Sequence, residues 1–222
     1  MTYRLNFGRK VVMAGYAWYI EGAAEKILVD AGGNSEYFAR TRGVRVRTIQ
    51  SLDAGLGKLG INPVDIDLVI LTHLHHDHVA QAALFSRAKF LVQRAELEFA
   101  QKPHPLFTWA YPGEFFEGLD FEVISGDRSI CDGVSVLSTP GHTPGGGQSV
   151  CVKVTHGIAI IPGLCTIREN YKPPSTIDMP VIPPSIHTDV LTAYDSVLRI
   201  KRTADIIVPP HDTEFLVKTC IV

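Results

Sequence analysis

The sequence is poor in cysteine and holds no long apolar run. Its four cysteines are scattered through 222 residues and form no C-x-x-C pair. A disulfide framework is therefore not expected, because such frameworks stabilise short, cysteine-dense secreted chains. No apolar run approaches the roughly 20 residues that a helix needs to cross a bilayer. The start of the chain lacks the apolar segment of a signal peptide, so we expect a cytoplasmic protein.

The sequence also lacks an excess of one charge. Its 21 Lys and Arg residues nearly balance 23 Asp and Glu residues, and the formal net charge is −2. This balance disfavours nucleic acid and anionic membranes as main partners, because both attract clusters of positive charge. Hydrophobic residues at 45% and charged residues at 20% are ordinary for a globular protein. One domain over residues 1–222 is the simplest organisation for this length.

Apolar patterning predicts an α/β protein in which strands dominate the first part of the chain. Short apolar runs indicate strands, whereas apolar residues spaced by three and four indicate helices. Strands are predicted at residues 9–20, 26–30, 67–71, 89–93, 121–124, 134–137, 149–155, 157–161 and 205–208. Helices are predicted at residues 48–59, 94–101 and 188–202, and loops at 102–118 and 167–185. In the last helix, Thr188 is the expected cap, and the expected apolar face consists of Val190, Leu191, Tyr194, Val197 and Leu198. An α/β sandwich with sheets inside and helices outside fits this mixture.

A cluster of potential metal ligands follows the predicted strand at 67–71. His73, His75, Asp77 and His78 form the pattern H-x-H-x-D-H at a strand-to-helix turn. Residues spaced by two on an extended segment point the same way, so His73 and His75 can reach one ion. Asp77 and His78 lie where the chain turns helical and can reach a second ion. Imidazole and carboxylate together suit zinc, iron or manganese, whereas histidine is unusual in an ordinary surface turn.

Two further histidines follow predicted strands. His142 lies in the segment Thr-Pro-Gly-His-Thr at 139–143, and His211 follows two prolines. Glycine and proline beside a histidine allow the backbone to approach a ligand, or fix the side chain. Alone, either histidine would most simply be a hydrogen-bonded core residue. Next to the first cluster, both become candidate metal ligands.

These motifs, in this order, resemble the metallo-β-lactamase superfamily over nearly the whole chain. The resemblance implies an αββα sandwich with the metal site at its edge. Within the superfamily the chain looks most like the quorum-quenching N-acyl-homoserine lactonase-type hydrolases, through Leu-Thr-His-Leu-His at 71–75, Val-Gln-Arg-Ala-Glu at 92–96 and Arg-Glu-Asn at 168–170. It implies a small-molecule substrate and one or two Zn²⁺ ions per chain, with iron or manganese as alternatives.

The resemblance also assigns two sets of ligands. They are His73, His75 and His142 for the first ion, and Asp77, His78 and His211 for the second. The carboxylate that bridges both ions in the family is missing, because Gly163 stands at its position. Two divalent ions without this bridge repel each other more strongly. Three outcomes are open: the second ion is weak or absent, Cys165 supplies a thiolate, or a water or a carboxylate such as Asp178 fills the gap.

The resemblance favours a metal-dependent hydrolase that acts on the ester bond of a lactone. Zinc held by three neutral histidines keeps a position for water and lowers the pKa of that water to about 7. We expect the resulting hydroxide to attack the carbonyl carbon while Asp77 orients the water or carries its proton. A substrate pocket is predicted from aromatic residues whose alternative role is core packing. These residues are Tyr16, Trp18, Phe107, Trp109 and Tyr111, together with Met13.

Other activities remain open at this point. A thioesterase of the glyoxalase II kind shares the first motif. Asp77, His78 and His211 form a two-histidine, one-carboxylate set that suits non-haem iron, as in the sulfur dioxygenases of the superfamily. The missing bridging carboxylate at Gly163 also suggests another alternative, a degenerate superfamily member that binds metal without catalysing a reaction. The sequence does not give the oligomeric state, and a homodimer is one of the states it allows.

Overall fold

The structure is a computed structural model that describes residues 1–5, 8–218 and 220–221. It contains two compact units. The N-terminal unit is Gly15–Ile124, and the C-terminal unit joins Met1–Ala14 to Ser125–Val222. Each unit carries one five-stranded sheet. The prediction of a single domain stays a prediction, because this division concerns compactness and not independent folding.

The sheet of the N-terminal unit runs in the order β1-β2-β3-β4-β5. Its strands are β1 (Trp18–Ile20), β2 (Ile27–Val29), β3 (Leu68–Ile70), β4 (Lys89–Gln93) and β5 (Phe121–Ile124). β1 pairs antiparallel with β2, whereas β2, β3, β4 and β5 pair in parallel. All residues of β2 and β3 are buried, which is expected of parallel strands covered on both faces. The carboxyl ends of β2, β3 and β4 therefore lie side by side at one edge.

Four α-helices complete the N-terminal unit. They are α1 (Ser35–Arg42), α2 (Leu52–Lys58), α3 (His76–Val79) and α4 (Arg94–Gln101), with 3₁₀ turns at Pro63–Asp65, Ala82–Leu84, Pro105–Phe107 and Gly113–Phe115. The side chain of Asn34 accepts a hydrogen bond from the backbone N–H of Tyr37 and caps α1, which ends at Gly43 in the left-handed conformation. The core of this unit includes Leu71, Leu74, Phe85 and Phe90.

The C-terminal unit has a mostly antiparallel sheet in the order β10-β9-β8-β7-β6. Its strands are β6 (Arg128–Cys131), β7 (Val134–Thr139), β8 (Gly147–Val154), β9 (Gly157–Ile161) and β10 (Ile206–Ile207), and its helices are α5 (Arg168–Tyr171) and α6 (Val190–Thr203), with a 3₁₀ turn at Thr213–Val217. Only β9 and β10 pair in parallel. Val197 and Ile200 of α6 pack in the core of this unit with Ile160 and Leu164.

The structure corrects several predicted boundaries. The strand predicted at 9–20 is ordered as a strand only at Trp18–Ile20, and the helix predicted at 48–59 is shortened to Leu52–Lys58. Asp189, rather than Thr188, caps α6. The buried face of α6 is also rotated from the predicted one, because Leu191 is 75% exposed and Ala193 is fully buried. Among the described residues, no helix has the length and apolar character that crossing a membrane requires.

Candidate metal centre

The predicted ligand cluster lies at the carboxyl end of β3. The chain leaves β3 after Ile70, has an extended backbone at His75 and enters α3 at His76. The ends of neighbouring parallel strands flank it, because Asp30 follows β2 and α4 begins directly after β4. Crevices outside the carboxyl ends of parallel strands are where α/β proteins usually bind ligands. The topology of the sheet therefore explains the place of this cluster.

Within the N-terminal unit, the structure brings three of the predicted ligands together. Donor atoms of His73, Asp77 and His78 all lie within 4.8 Å of one another. The ring of His73 also contacts two of its neighbours, with centroids 4.6 Å from His75 and 4.1 Å from His78. All three rings are buried, and the Asp77 side chain is 22% exposed. One ion can therefore reach several of these donors at the same time.

A buried carboxylate that the sequence analysis missed orients this cluster. Asp30 is 2% exposed and accepts a hydrogen bond from the backbone N–H of Thr72 (2.8 Å). The Thr72 hydroxyl also donates to Asp30 (2.9 Å), and the Nδ1 of His78 lies 2.7 Å from the same carboxylate. Asp30 adopts a φ of +59°, which is uncommon for a residue other than glycine. The sequence feature that could have identified Asp30 is an acidic residue at the end of an apolar strand.

These hydrogen bonds fix which ring nitrogen faces a metal. A carboxylate only accepts, so Nδ1 of His78 must carry the proton in its bond to Asp30. The single hydroxyl proton of Thr72 goes to Asp30, so this oxygen accepts from Nδ1 of His73 at 3.2 Å. In both rings Nε2 is the nitrogen with a lone pair for a cation. Metal-binding histidines normally donate their other N–H in this way.

The surrounding carboxylates also set the protonation of His78 when no cation is bound. Burial alone lowers the pKa of His78, because it disfavours the charged imidazolium. Asp77, Asp30 and Glu96 outweigh that effect and raise the pKa to about 9. Such a concentration of negative charge around a buried imidazole favours a bound cation, whether it is a proton or a metal ion.

His76 lies in the same loop but outside the ligand pattern. Its ring is 2% exposed and packs against the rings of Tyr37 and Phe38, with centroid separations of 4.9 and 4.4 Å. Burial lowers the pKa of His76. Its backbone N–H donates to the carbonyl of Ala110 (2.9 Å). This histidine thus packs α3 against aromatic residues of its own unit.

In the C-terminal unit, His142 is held by the start of α6 and the segment before it. Its Nδ1 donates to the carbonyl of Ile186 (2.8 Å), which again leaves Nε2 for a metal. Gly141 has a φ of +111°, and a Cβ at this position would collide with the backbone of Ala193. The backbone N–H of Thr188 donates to the Gly141 carbonyl (2.8 Å). Only glycine allows this close approach, which places His142.

His211 is held by the segment that opens the chain. Its Nδ1 donates to the carbonyl of Ala14 (2.9 Å), and the backbone N–H of Ala14 donates to the carbonyl of His211 (3.2 Å). The His211 side chain is 3% exposed. Four of the five predicted histidine ligands thus direct Nδ1 to an oxygen acceptor. Imidazole Nε2 atoms and carboxylate oxygens are donors that suit zinc, iron or manganese.

Gly163 and Cys165 occupy the turn after β9. A Cβ on Gly163 would collide with the backbone carbonyl of Gln148 on β8, so no side chain fits there. The backbone N–H of Gly163 donates to the Ser149 hydroxyl (3.0 Å). Cys165 is 4% exposed and belongs to no group of three potential ligands among the described residues. Its predicted role as a ligand stays a prediction.

The aromatic residues predicted to line a pocket have different environments. Trp109 is 38% exposed, with the guanidinium of Arg42 4.1 Å from its ring centroid. Tyr16 and Trp18 are half-buried, and their centroids lie 5.1 Å apart. Tyr111 is 3% exposed, and Phe107 packs against the core. Trp109 is thus the most exposed of these rings, Tyr16, Trp18 and Phe107 are half-buried, and Tyr111 belongs to the interior.

Comparison with known proteins agrees with this geometry. The chain matches the metallo-beta-lactamase superfamily over residues 11–211. An N-acyl homoserine lactonase from a Bacillus species is 37% identical over 116 residues, which cover 52% of this chain and 43% of that protein. This chain therefore spans less than half the length of that relative. A probable metallo-hydrolase of Methanocaldococcus jannaschii is 27% identical over 158 residues, 71% of this chain and 63% of the relative.

Solved structures extend the similarity to the fold. AiiA of Bacillus thuringiensis, in a mutant form with N-decanoyl-L-homoserine bound at the active site, aligns with a TM-score of 0.75 and 26% identity over 95% of this chain and 85% of that one. An N-acyl homoserine lactone hydrolase with N-hexanoyl-L-homoserine at its catalytic metal centre aligns with a TM-score of 0.76 and 25% identity. This alignment covers 99% of this chain and 89% of that one. The predicted α/β fold class is confirmed. With its histidine-rich centre and this fold, the chain belongs to the metallo-β-lactamase superfamily.

Proposed function

We propose that this chain is a metal-dependent hydrolase that opens a lactone ring, with an acyl-homoserine lactone or a related lactone as substrate. The observation that carries the proposal is the common hydrogen-bonding state of the histidines. His73, His78, His142 and His211 all engage an oxygen acceptor through Nδ1. Buried histidines with this one tautomer serve metal binding better than core packing. The similarity to lactonases in sequence and structure supports the substrate class.

The ligands in this proposal are those of the sequence analysis. They are His73, His75 and His142 for a first ion, and Asp77, His78 and His211 for a second. Zinc is the proposed metal. When bound, it supplies a hydroxide at neutral pH and a positive charge for the carbonyl oxygen of the substrate. Because no carboxylate bridges the two sites, two divalent ions would repel each other more strongly, so a second ion should bind more weakly than the one that is already present.

The side chains then have distinct tasks. Asp77 is the partly exposed carboxylate of the cluster and is suited to orient a water molecule and to hold or pass a proton at its carboxylate oxygens. Asp30 and Thr72 hold His73 and His78 in the productive tautomer. Exposed ring surface on Trp109 is suited to an apolar part of the substrate. The substrate is therefore expected to be a small molecule with an apolar chain or ring.

The test replaces His75 and His142 with Ala, one at a time, and measures metal per chain and hydrolysis of a panel of lactones. Both variants should lose metal and activity. His156 lies on an exposed turn, so His156→Ala is the matched control and should behave as the wild type. Wild-type metal content and hydrolysis in either ligand variant would refute the proposal. Hydrolysis of thioesters but not of lactones would support the metal centre but show that the substrates are thioesters.

A further inference from the structure

Glu96 is a buried carboxyl group to which the proposed mechanism gives no task. It lies in the first turn of α4, directly after the carboxyl end of β4, and is 0% exposed. Burial of a carboxylate is costly unless hydrogen bonds compensate for the lost water. The same oxygen, Oε1, accepts from the backbone N–H of Leu74 (3.0 Å) and from the hydroxyl of Tyr111 (2.9 Å). One donor lies between two of the predicted ligands in the chain, and the ring of the other contacts His75.

The first donor acts on the backbone of the ligand loop. Leu74 stands between His73 and His75 and is fully buried. Its N–H belongs to the short segment between β3 and α3 that carries these two imidazoles. The hydrogen bond to Glu96 therefore fixes the direction of the peptide between them.

The second donor acts on the ring of His75. The Tyr111 ring stands edge-to-face against His75, with centroids 4.8 Å apart and an interplanar angle of 66°. Since the Tyr111 hydroxyl donates to Glu96, this ring cannot slide away from His75 without losing a buried hydrogen bond. Edge-to-face contacts of this kind favour one ring orientation.

We propose that Glu96 is a positioning residue that, through Leu74 and Tyr111, holds His75 in its metal-binding orientation. The inference rests on the proposed role of His75 as a ligand and goes beyond it, because it assigns a task to a residue outside the proposed ligand set. Residues of this kind typically change metal affinity by about 10- to 100-fold when they are removed.

The same contacts join the aromatic segment to the ligand loop. Residues 105–116 are tied to that loop twice, by Tyr111 through Glu96 and by the Ala110 carbonyl, which accepts from the N–H of His76 (2.9 Å). A third hydrogen bond, from the Tyr37 hydroxyl to the Trp109 carbonyl (2.8 Å), holds the segment from α1. This third bond is not part of the path from Glu96 through Leu74 and Tyr111 to His75, so it supplies a matched control.

The experiment measures the dissociation constant for Co²⁺ by chelator competition, and the visible absorption of bound Co²⁺, in four variants. Tyr111→Phe removes one hydroxyl and keeps the ring against His75, whereas Tyr37→Phe removes the hydroxyl that bonds Trp109. Glu96→Leu removes the acceptor, and Glu96→Gln keeps an oxygen that can accept both bonds. We expect about 10- to 100-fold weaker binding in Glu96→Leu, a smaller loss in Tyr111→Phe and an altered spectrum in both. Glu96→Gln should restore binding, and Tyr37→Phe should match the wild type.

Wild-type affinity and spectrum in Glu96→Leu would overturn the inference. If Glu96→Leu does not fold, Tyr111→Phe decides by the same readouts, since it leaves the core volume nearly unchanged. Equal losses in Tyr37→Phe and Tyr111→Phe would also overturn it, because they would show general loosening of the segment. A wild-type protein that binds no Co²⁺ or Zn²⁺ would instead refute the proposed function, so the two failures are distinguishable.

Discussion

Asp30 shows how a single residue can set the chemistry of a site without being a ligand. It combines a left-handed backbone, nearly complete burial and hydrogen bonds to both Thr72 and His78. Backbone strain at a buried polar residue persists only where surrounding contacts enforce it. Here the strain places one carboxylate where it orders two imidazoles, directly for His78 and through Thr72 for His73.

The variant Asp30→Asn should therefore lose metal affinity. Asn tolerates the left-handed backbone well, so the fold should persist, but its amide cannot accept all the protons that the carboxylate accepts. We expect metal binding to weaken by about 10- to 100-fold, measured by chelator competition with Zn²⁺. Asp132→Asn, at an exposed turn, is the control. Unchanged affinity in Asp30→Asn would remove Asp30 from the account of the site.

The cysteines should differ strongly in reactivity. Burial raises the pKa of the Cys151 thiol to about 11, whereas Cys220 is exposed. A thiol reacts as its thiolate, so at pH 8 the thiolate of Cys151 is scarce as well as shielded. Iodoacetamide labelling followed by mass spectrometry should modify Cys220 first and leave Cys151 intact. Unfolding in guanidinium chloride should abolish this order. Equal labelling rates in the folded protein would contradict the described burial.

At the scale of elements, the sequence predicted where several strands and helices lie better than how the helices pack. The bounds of β4, α4, β5 and β9 match the prediction, because each is a short apolar run or helix closed by clear turn residues. α1 was missed since Tyr37 is its only buried residue, so its pattern shows no apolar stripe. The buried face of α6 was misjudged because periodicity cannot tell which of two adjacent stripes meets the sheet.

The sequence also predicted only part of the candidate site. The ligand types and spacing were readable from H-x-H-x-D-H, since coordination chemistry restricts which residues can serve. Asp30 and Glu96 were not readable, because their role arises only when β2, β3 and β4 are placed side by side. One sequence shows residues in order along the chain, whereas these contacts join residues 22 and 48 positions apart.

The loop before α6 supports a prediction about Gly141. The change Gly141→Ala combines a φ of +111° with a collision against the Ala193 backbone, so it should lower the free energy of unfolding by ~3 kcal/mol or more. Gly22 has a φ of +91° but open space around it, and Gly22→Ala should cost only about 1–2 kcal/mol. Denaturant titration of both variants measures the difference. Equal costs would mean that the contact with α6 relaxes freely.

For the whole molecule, the bound metal should act as a stabilising ligand. An ion that binds only the folded chain adds about 4 kcal/mol to the free energy of unfolding at a free concentration of 1,000 times its Kd. The melting temperature should therefore rise with Zn²⁺ and fall when a chelator removes it. His75→Ala should lose most of this dependence, and His156→Ala should keep it. A melting temperature that ignores both zinc and chelator would contradict the proposed centre.

The N-terminal unit holds His73, His75, Asp77 and His78 together with residues that orient them. Asp30, Thr72, Glu96 and Tyr111 all lie between Gly15 and Ile124. Ribosomes build chains from the N-terminus, so these residues are synthesised before His142 and His211. Four of the proposed ligands and the residues that orient them therefore lie within one continuous stretch of the chain, whereas His142 and His211 follow it. The order of synthesis thus matches the division of the proposed ligands between the two units.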